Sequence, residues 1–116
     1  TKDDVKQLYK QNYWNAIKAD NLPSGVDVSC ADLCVNAGPS RASKILQRVV
    51  GQKRDGKIGP MTLKAVKDNH PKDLLEKYYD GREAFYRSLK DYEIYGKGWS
   101  RRNKETLEKA LELLDE

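Results

Sequence analysis

One histidine, one methionine, one phenylalanine and two cysteines among 116 residues leave little material for several familiar kinds of site. A zinc centre takes four nitrogen or sulfur ligands at fixed spacing, and His70, Cys30 and Cys34 fall short of that set. No metal and no other cofactor is therefore expected. His70 abuts Pro71 and has no nucleophile signature beside it, which argues against Ser-His-Asp and Cys-His catalysis alike. Gly51, Gly56 and Gly59 match neither phosphate-cradling glycine pattern. The longest apolar runs are far below the roughly 18 residues a membrane-spanning helix needs, so no membrane insertion is expected. No basic segment followed by an apolar stretch opens the chain, so no signal peptide is visible and synthesis in the cytoplasm is the expectation. The first residue is Thr1 rather than Met, which reads as a processed product or an excised fragment.

What is present is charge. Charged residues make up 34% of the chain against 38% hydrophobic, a balance suited to one small globular domain over residues 1–116. The net charge is +4, unevenly spread. From Arg41 to Lys67 there are eight basic residues and one acid, Asp55, whereas the thirteen residues from Lys104 onward carry five acids and two bases. A basic middle suits an anionic partner on one side, although a solvated helix face has the same composition.

The apolar residues recur at helical spacing almost throughout. Val5, Leu8, Tyr9, Tyr13, Ala16 and Ile17 predict a helix from Thr1 to Ala19, with Thr1 and Asp4 resembling a capping box. Val26, Cys30, Leu33, Cys34 and Ala37 predict a second over 26–36, closed by Gly38 and Pro39. Ile45, Leu46, Val49 and Val50 predict a third over 40–50. Asp55-Gly56-Lys57-Ile58-Gly59-Pro60 reads as a tight turn, a hydrophobic plug at Ile58 and a proline that starts the next helix, which ends before Pro71. Gly56 or Gly59 is expected at positive φ. A long helix is predicted over 72–95, broken by Gly96-Lys97-Gly98, and a last one over 99–114. The fold class is all-α, with about six helices.

Cys30 and Cys34 are one turn apart on a helix, where their Cβ atoms aim poorly for a disulfide, so both are expected buried and reduced. Asp32 and Asn36 share another face of that helix, about 200° from the cysteines. At Asn36, one residue before the Ala37-Gly38-Pro39 stop, backbone capping competes with a ligand-contacting role. Seven of the ten aromatic residues are tyrosines, whose flat faces suit sugar rings and whose hydroxyls suit sugar hydrogen bonds. Tyr78, Tyr79, Tyr86 and Tyr92 equally suit a core with outward hydroxyls. Trp99, expected at a helix start, can wall a groove or plug a junction. The carboxylates lie mostly on charged helix faces; Glu76, Glu83 and Glu93 have basic neighbours and no glycine-flanked apolar pocket. No catalytic residue is therefore assigned.

Several strings together carry a family resemblance: Tyr13-Trp14-Asn15-Ala16, Asp32 through Gly38, Leu46-Gln47-Arg48, Asp55 through Pro60, Phe85 through Leu89, and Gly96-Lys97-Gly98-Trp99 before Arg101-Arg102. In this order they resemble the C-terminal portion of glycoside hydrolase family 108, the predicted peptidoglycan domain. That family comprises lysozyme-like N-acetylmuramidases found as phage endolysins and related bacterial proteins. The resemblance implies a lysozyme-like helical lobe forming one wall of a glycan cleft. It also implies a catalytic glutamate in a Glu-Gly-Gly segment, and no such string occurs in this sequence.

The function expected from the resemblance is recognition of peptidoglycan glycan strands, at the cell wall or in the periplasm, within a cell-wall hydrolase. Side-chain chemistry selects Asp32, Asn36, Arg41, Tyr86 and Trp99 as the substrate-binding set. An apolar face left by a missing lobe is expected to favour a homodimer. A stand-alone, non-catalytic peptidoglycan-binding module is the first alternative. A small basic nucleic-acid-binding domain is the second; it needs Arg41, Lys44, Arg48 and Lys64 on one continuous face and shows no helix-turn-helix signature, so no nucleic acid is expected as partner.

Overall fold

A computed structural model describes Tyr9 and residues 11–114, and within them the chain is helical with no strand. Six α-helices follow one another: α1 (Gln11–Ala16), α2 (Val26–Ala37), α3 (Pro39–Val49), α4 (Pro60–Asp68), α5 (Pro71–Ser88) and α6 (Tyr92–Leu114). A 3-10 turn over Ala19–Asn21 joins α1 to the loop before α2. The Thr1–Asp4 capping box lies outside the described residues, as do Val5 and Leu8. Within them the first helix stops short of Ala19, because Lys18 takes a left-handed φ of 51°. That bend lets Trp14 turn inward, fully buried, with its indole N–H donating to Asp20 Oδ1 at 2.9 Å.

α2 is the axis of the molecule. Every residue from Val26 to Cys34 is buried, and α1, α3, α5 and α6 all pack on it. A helix enclosed on all sides must satisfy its polar side chains internally. Asp27 does so at the helix N-terminus, where its carboxylate accepts from the amides of Gly25 at 2.9 Å and Val28 at 2.7 Å. Gly38, at φ 90° and ψ 160°, turns the chain, and Pro39 occupies the first turn of α3. Cys34 and Cys30 face the core, both unpaired. Burial pushes their thiols up to about 11 and about 12 respectively.

The largest departure from the sequence expectation is at the second half. The break falls at Leu89–Asp91, not at Gly96-Lys97-Gly98, and α6 runs straight through both glycines. Ser88 Oγ donates to the Phe85 carbonyl at 2.6 Å, competing with the helical ladder, and Leu89 swings to an extended ψ of 142°. Gly96 is a packing device within the helix. A Cβ there would stand 2.5 Å from the Tyr92 ring, so the glycine lets that ring lie across the helix surface. α5 and α6 thereby form an antiparallel hairpin. On α5 the row Leu74, Tyr78, Arg82 and Tyr86, four residues apart, is buried against α2 and α3, and Tyr78 donates its hydroxyl proton to the Ala42 carbonyl at 3.0 Å.

The segment between α3 and α4 has no regular structure and is held by one buried side chain. The Gln47 carboxamide donates to Asp55 Oδ1 at 2.8 Å and to the Lys57 carbonyl at 2.9 Å, and accepts from the Gly56 amide at 3.0 Å. Ile58 is buried, as the turn pattern anticipates. Gly56 sits at φ 81°, whereas Gly59 has an ordinary negative φ of −124°. The amide of Lys57 and the Gln47 carboxamide hold the Asp55 carboxyl below its usual range.

Candidate functional site

Asn36 closes α2, Arg41 opens α3, Tyr86 and Phe85 lie in the last turn of α5, and Trp99 lies on α6. Together with Ala37 and Leu89 they line a cavity of about 390 Å³. Four of the five residues singled out by sequence thus share one depression. Leu89 reaches it because the chain turns there instead of continuing as helix. Tyr86 is buried at the floor, and its hydroxyl accepts hydrogen bonds from Asn36 Nδ2 at 3.4 Å and from Arg82 at 3.3 Å. Trp99 stacks on the Tyr86 ring at 5.8 Å between centroids, with 29° between planes. Tyr95 continues the row, 5.7 Å beyond Trp99 and exposed to solvent. The Arg41 guanidinium lies 5.1 Å over the Phe85 ring, a cation–π pair at the rim.

Such a surface offers aromatic faces for stacking, with an amide and a guanidinium as hydrogen-bond donors. Among the described residues, no carboxylate lines it.

Asp32, the fifth residue, is elsewhere. It was expected beside Asn36 on an open face, but α6 covers that face one turn earlier. Its carboxylate meets Arg82 at 2.7 Å and Arg102 at 2.8 Å, and accepts from Thr106 Oγ1 at 3.3 Å and Tyr9 Oη at 3.5 Å. Burial opposes ionisation, but the hydrogen bonds from Arg102 and the charge of Arg82 outweigh it and hold the carboxyl below its usual range. Burial likewise works against the Arg82 cation and is outweighed by Tyr86 and Asp32, so its pKa is raised. Desolvation, with the charge of Asp32 next, lifts the Tyr9 phenol to about 12. Asp32 therefore holds helices together, and the Tyr86 hydroxyl links this ionic centre to the aromatic cavity through Arg82.

Of the glutamates weighed as acids, Glu83 is the most engaged. It accepts from Arg87 and Ser100, both at 3.2 Å, and from Asn103 at 3.3 Å, cross-linking α5 to α6 outside the cavity. No group of His, Cys, Asp and Glu among the described residues could hold a metal ion. No described helix is long and apolar enough to cross a membrane.

Sequence reasoning missed Phe85, Leu89 and Tyr95 as cavity neighbours. Phe85 and Leu89 stand in the same string as Tyr86, one step and three steps away. Tyr95 is four residues before Trp99, which places it on the same helix face once α6 is known to run through Gly96.

The site is thus an aromatic groove with hydrogen-bond donors at the surface of an all-α unit. Residues 41–104 match the family model described as Predicted Peptidoglycan domain, and residues 1–38 match Glycosyl hydrolase 108. The chain belongs to this peptidoglycan domain family and is a peptidoglycan-recognising part of a cell-wall hydrolase. The solved structure of Brucella abortus SagA is similar over 100% of this chain and 67% of that one, with a TM-score of 0.91 and 37% identity. No curated protein sequence matches the chain.

Proposed function

We propose that the cavity between Asn36, Arg41, Tyr86 and Trp99 binds the glycan strand of peptidoglycan, within an N-acetylmuramidase of the endolysin type acting at the cell wall or in the periplasm. The observation that carries this reading is the ladder Tyr86–Trp99–Tyr95, which climbs from the core to the surface beside two hydrogen-bond donors. Sugar rings stack on such faces, and the wall polymer is the partner that the family description supplies. The general acid belongs, in this reading, to a Glu-Gly-Gly segment that this sequence does not contain. The exposed Ile94, next to the outer rung of the ladder, is where a second lobe or a second copy would pack.

Titration with disaccharide units released from purified peptidoglycan, followed by tryptophan fluorescence for the parent and by calorimetry for parent and variants, tests the proposal. Trp14 is fully buried, so the change should come from Trp99. Trp99→Ala should weaken binding about tenfold while leaving the fold intact, and the chain alone should release no reducing sugar from cell walls. Unchanged affinity in Trp99→Ala would overturn the assignment. So would wall lysis abolished by a single Glu→Gln change within this chain, which would move the chemistry here.

A further inference from the structure

Arg41, Lys44 and Arg48 follow one another along the outer face of α3, and Arg54 leans in from the loop beyond it. With Ile45, Gly81, Ala84, Phe85 and Ser88 they line a second cavity of about 440 Å³. It is large enough for a few residues of an extended chain. Its floor exists because α3 and α5 approach closely: a Cβ on Gly81 would stand 2.7 Å from Ile45 Cγ2. Among the described residues, none of the four cations has an ion-pair partner and no acid lines the cavity. Asp80 and Lys77 appear only where the groove continues past Arg48. Uncompensated positive charge concentrated in a concavity selects an anion.

The neighbourhood says which anion. Arg41 and Phe85 belong to both cavities, forming the wall between them. A glycan lying in the aromatic cavity would therefore carry its substituents toward the basic one. The Gln47 clasp, fastening Asp55 and Gly56 to α3, fixes the loop that presents Arg54. We propose that this basic cavity is a subsite for the carboxylate-bearing stem peptide attached to the glycan strand. The proposal rests on the glycan-binding reading of the neighbouring cavity.

Two matched ligands separate the subsite from that reading: a muropeptide carrying its peptide, and the same sugar after an amidase has removed it. The unmodified chain should bind the peptide-bearing form about tenfold more tightly at low salt, an effect the size of two exposed charge-assisted contacts. Arg48→Gln with Arg54→Gln, both at exposed positions, should abolish that preference and keep the affinity for bare sugar. A preference that survives the double change, or bare sugar bound with no preference at all, overturns the subsite alone. Failure of both ligands overturns the glycan reading and the subsite with it. A teichoic-acid phosphodiester or a short DNA duplex bound more tightly than the muropeptide would assign the charge to phosphate and overturn the carboxylate proposal.

Discussion

Asp32 and Asn36 are one turn apart on the same face of α2, yet one is locked in the interior and the other stands in an open cavity. The difference lies in what covers the face. α6 lies over Asp32, supplying Arg102 and Thr106, while Arg82 reaches it from α5. At Asn36 the helices diverge toward the turn at Leu89, and the covering surface becomes Tyr86 and Trp99 with space between. Helical periodicity assigns residues to a face, but only packing decides whether that face is a core or a site. The two regions are joined by a single atom, the Tyr86 hydroxyl, which accepts from Arg82 on one side and Asn36 on the other.

Removing the interior carboxylate should have the largest effect. Asp32→Ala leaves the Arg82 guanidinium buried without its counter-charge, and such losses cost about 3–5 kcal/mol. Urea unfolding should show the midpoint fall with an unchanged slope. The same pair sets an acid limit. The folded carboxyl titrates below its unfolded value, so its contribution is fully present above the ordinary aspartate range. It is lost as pH falls through the depressed folded value. Asp32→Asn should accordingly flatten the stability profile below about pH 4. If Asp32→Ala proved near neutral and instead abolished glycan binding, the contrast between interior and cavity would be broken.

A smaller effect is expected at the second buried polar centre, the Gln47 clasp. Gly56→Val must force a β-branched residue to φ 81° and bring a Cβ to 2.9 Å from Ser40 Oγ, a cost above about 1 kcal/mol. Gly59→Val, with negative φ and nothing within 4 Å of its Cβ, should fall within about 0.5 kcal/mol of the parent. Equal losses at the two glycines would show that the clasp does not dictate the turn.

The clasp and the ionic centre also mark what sequence could and could not disclose. Apolar spacing was enough for the all-α class, for α2 with its Gly38-Pro39 stop, and for the plug at Ile58, because each depends on neighbours a few residues away. The site set was chosen by side-chain chemistry within a resemblance, and four of its members meet in one cavity. The pairing of Asp32 with Arg82 and Arg102 was not legible because those partners are 50 and 70 residues distant. The helix break was misplaced for a related reason: glycine weakens a helix on its own, but Gly96 is accommodated by the Tyr92 ring and Ser88 supplies the stop instead. The two family matches meet at residues 38–41, at the start of α3, yet residues of both share one hydrophobic cluster, from Trp14 and Leu33 to Leu46 and Tyr78.

The smallest effect sharpens the comparison most, because it concerns the atom that joins its two halves. Tyr86→Phe keeps the ring against Trp99 and removes only the hydroxyl. Arg82 retains Asp32 and the Ser29 carbonyl at 3.1 Å, so the ionic centre survives and stability should drop by about 1 kcal/mol. Asn36 is exposed, and water replaces its lost partner. The consequence should appear in recognition: with its amide no longer tethered, Asn36 must be ordered when a sugar binds, and affinity should fall a fewfold while the Trp99 fluorescence change persists. Asn36→Ala should lower affinity by a similar factor, with stability within about 0.5 kcal/mol of the parent. If the tether matters, the double variant should then be no worse than either single one, since both remove the same link. Additive losses would mean that the amide and the hydroxyl meet the glycan separately, and that the interior and the cavity are neighbours without being coupled.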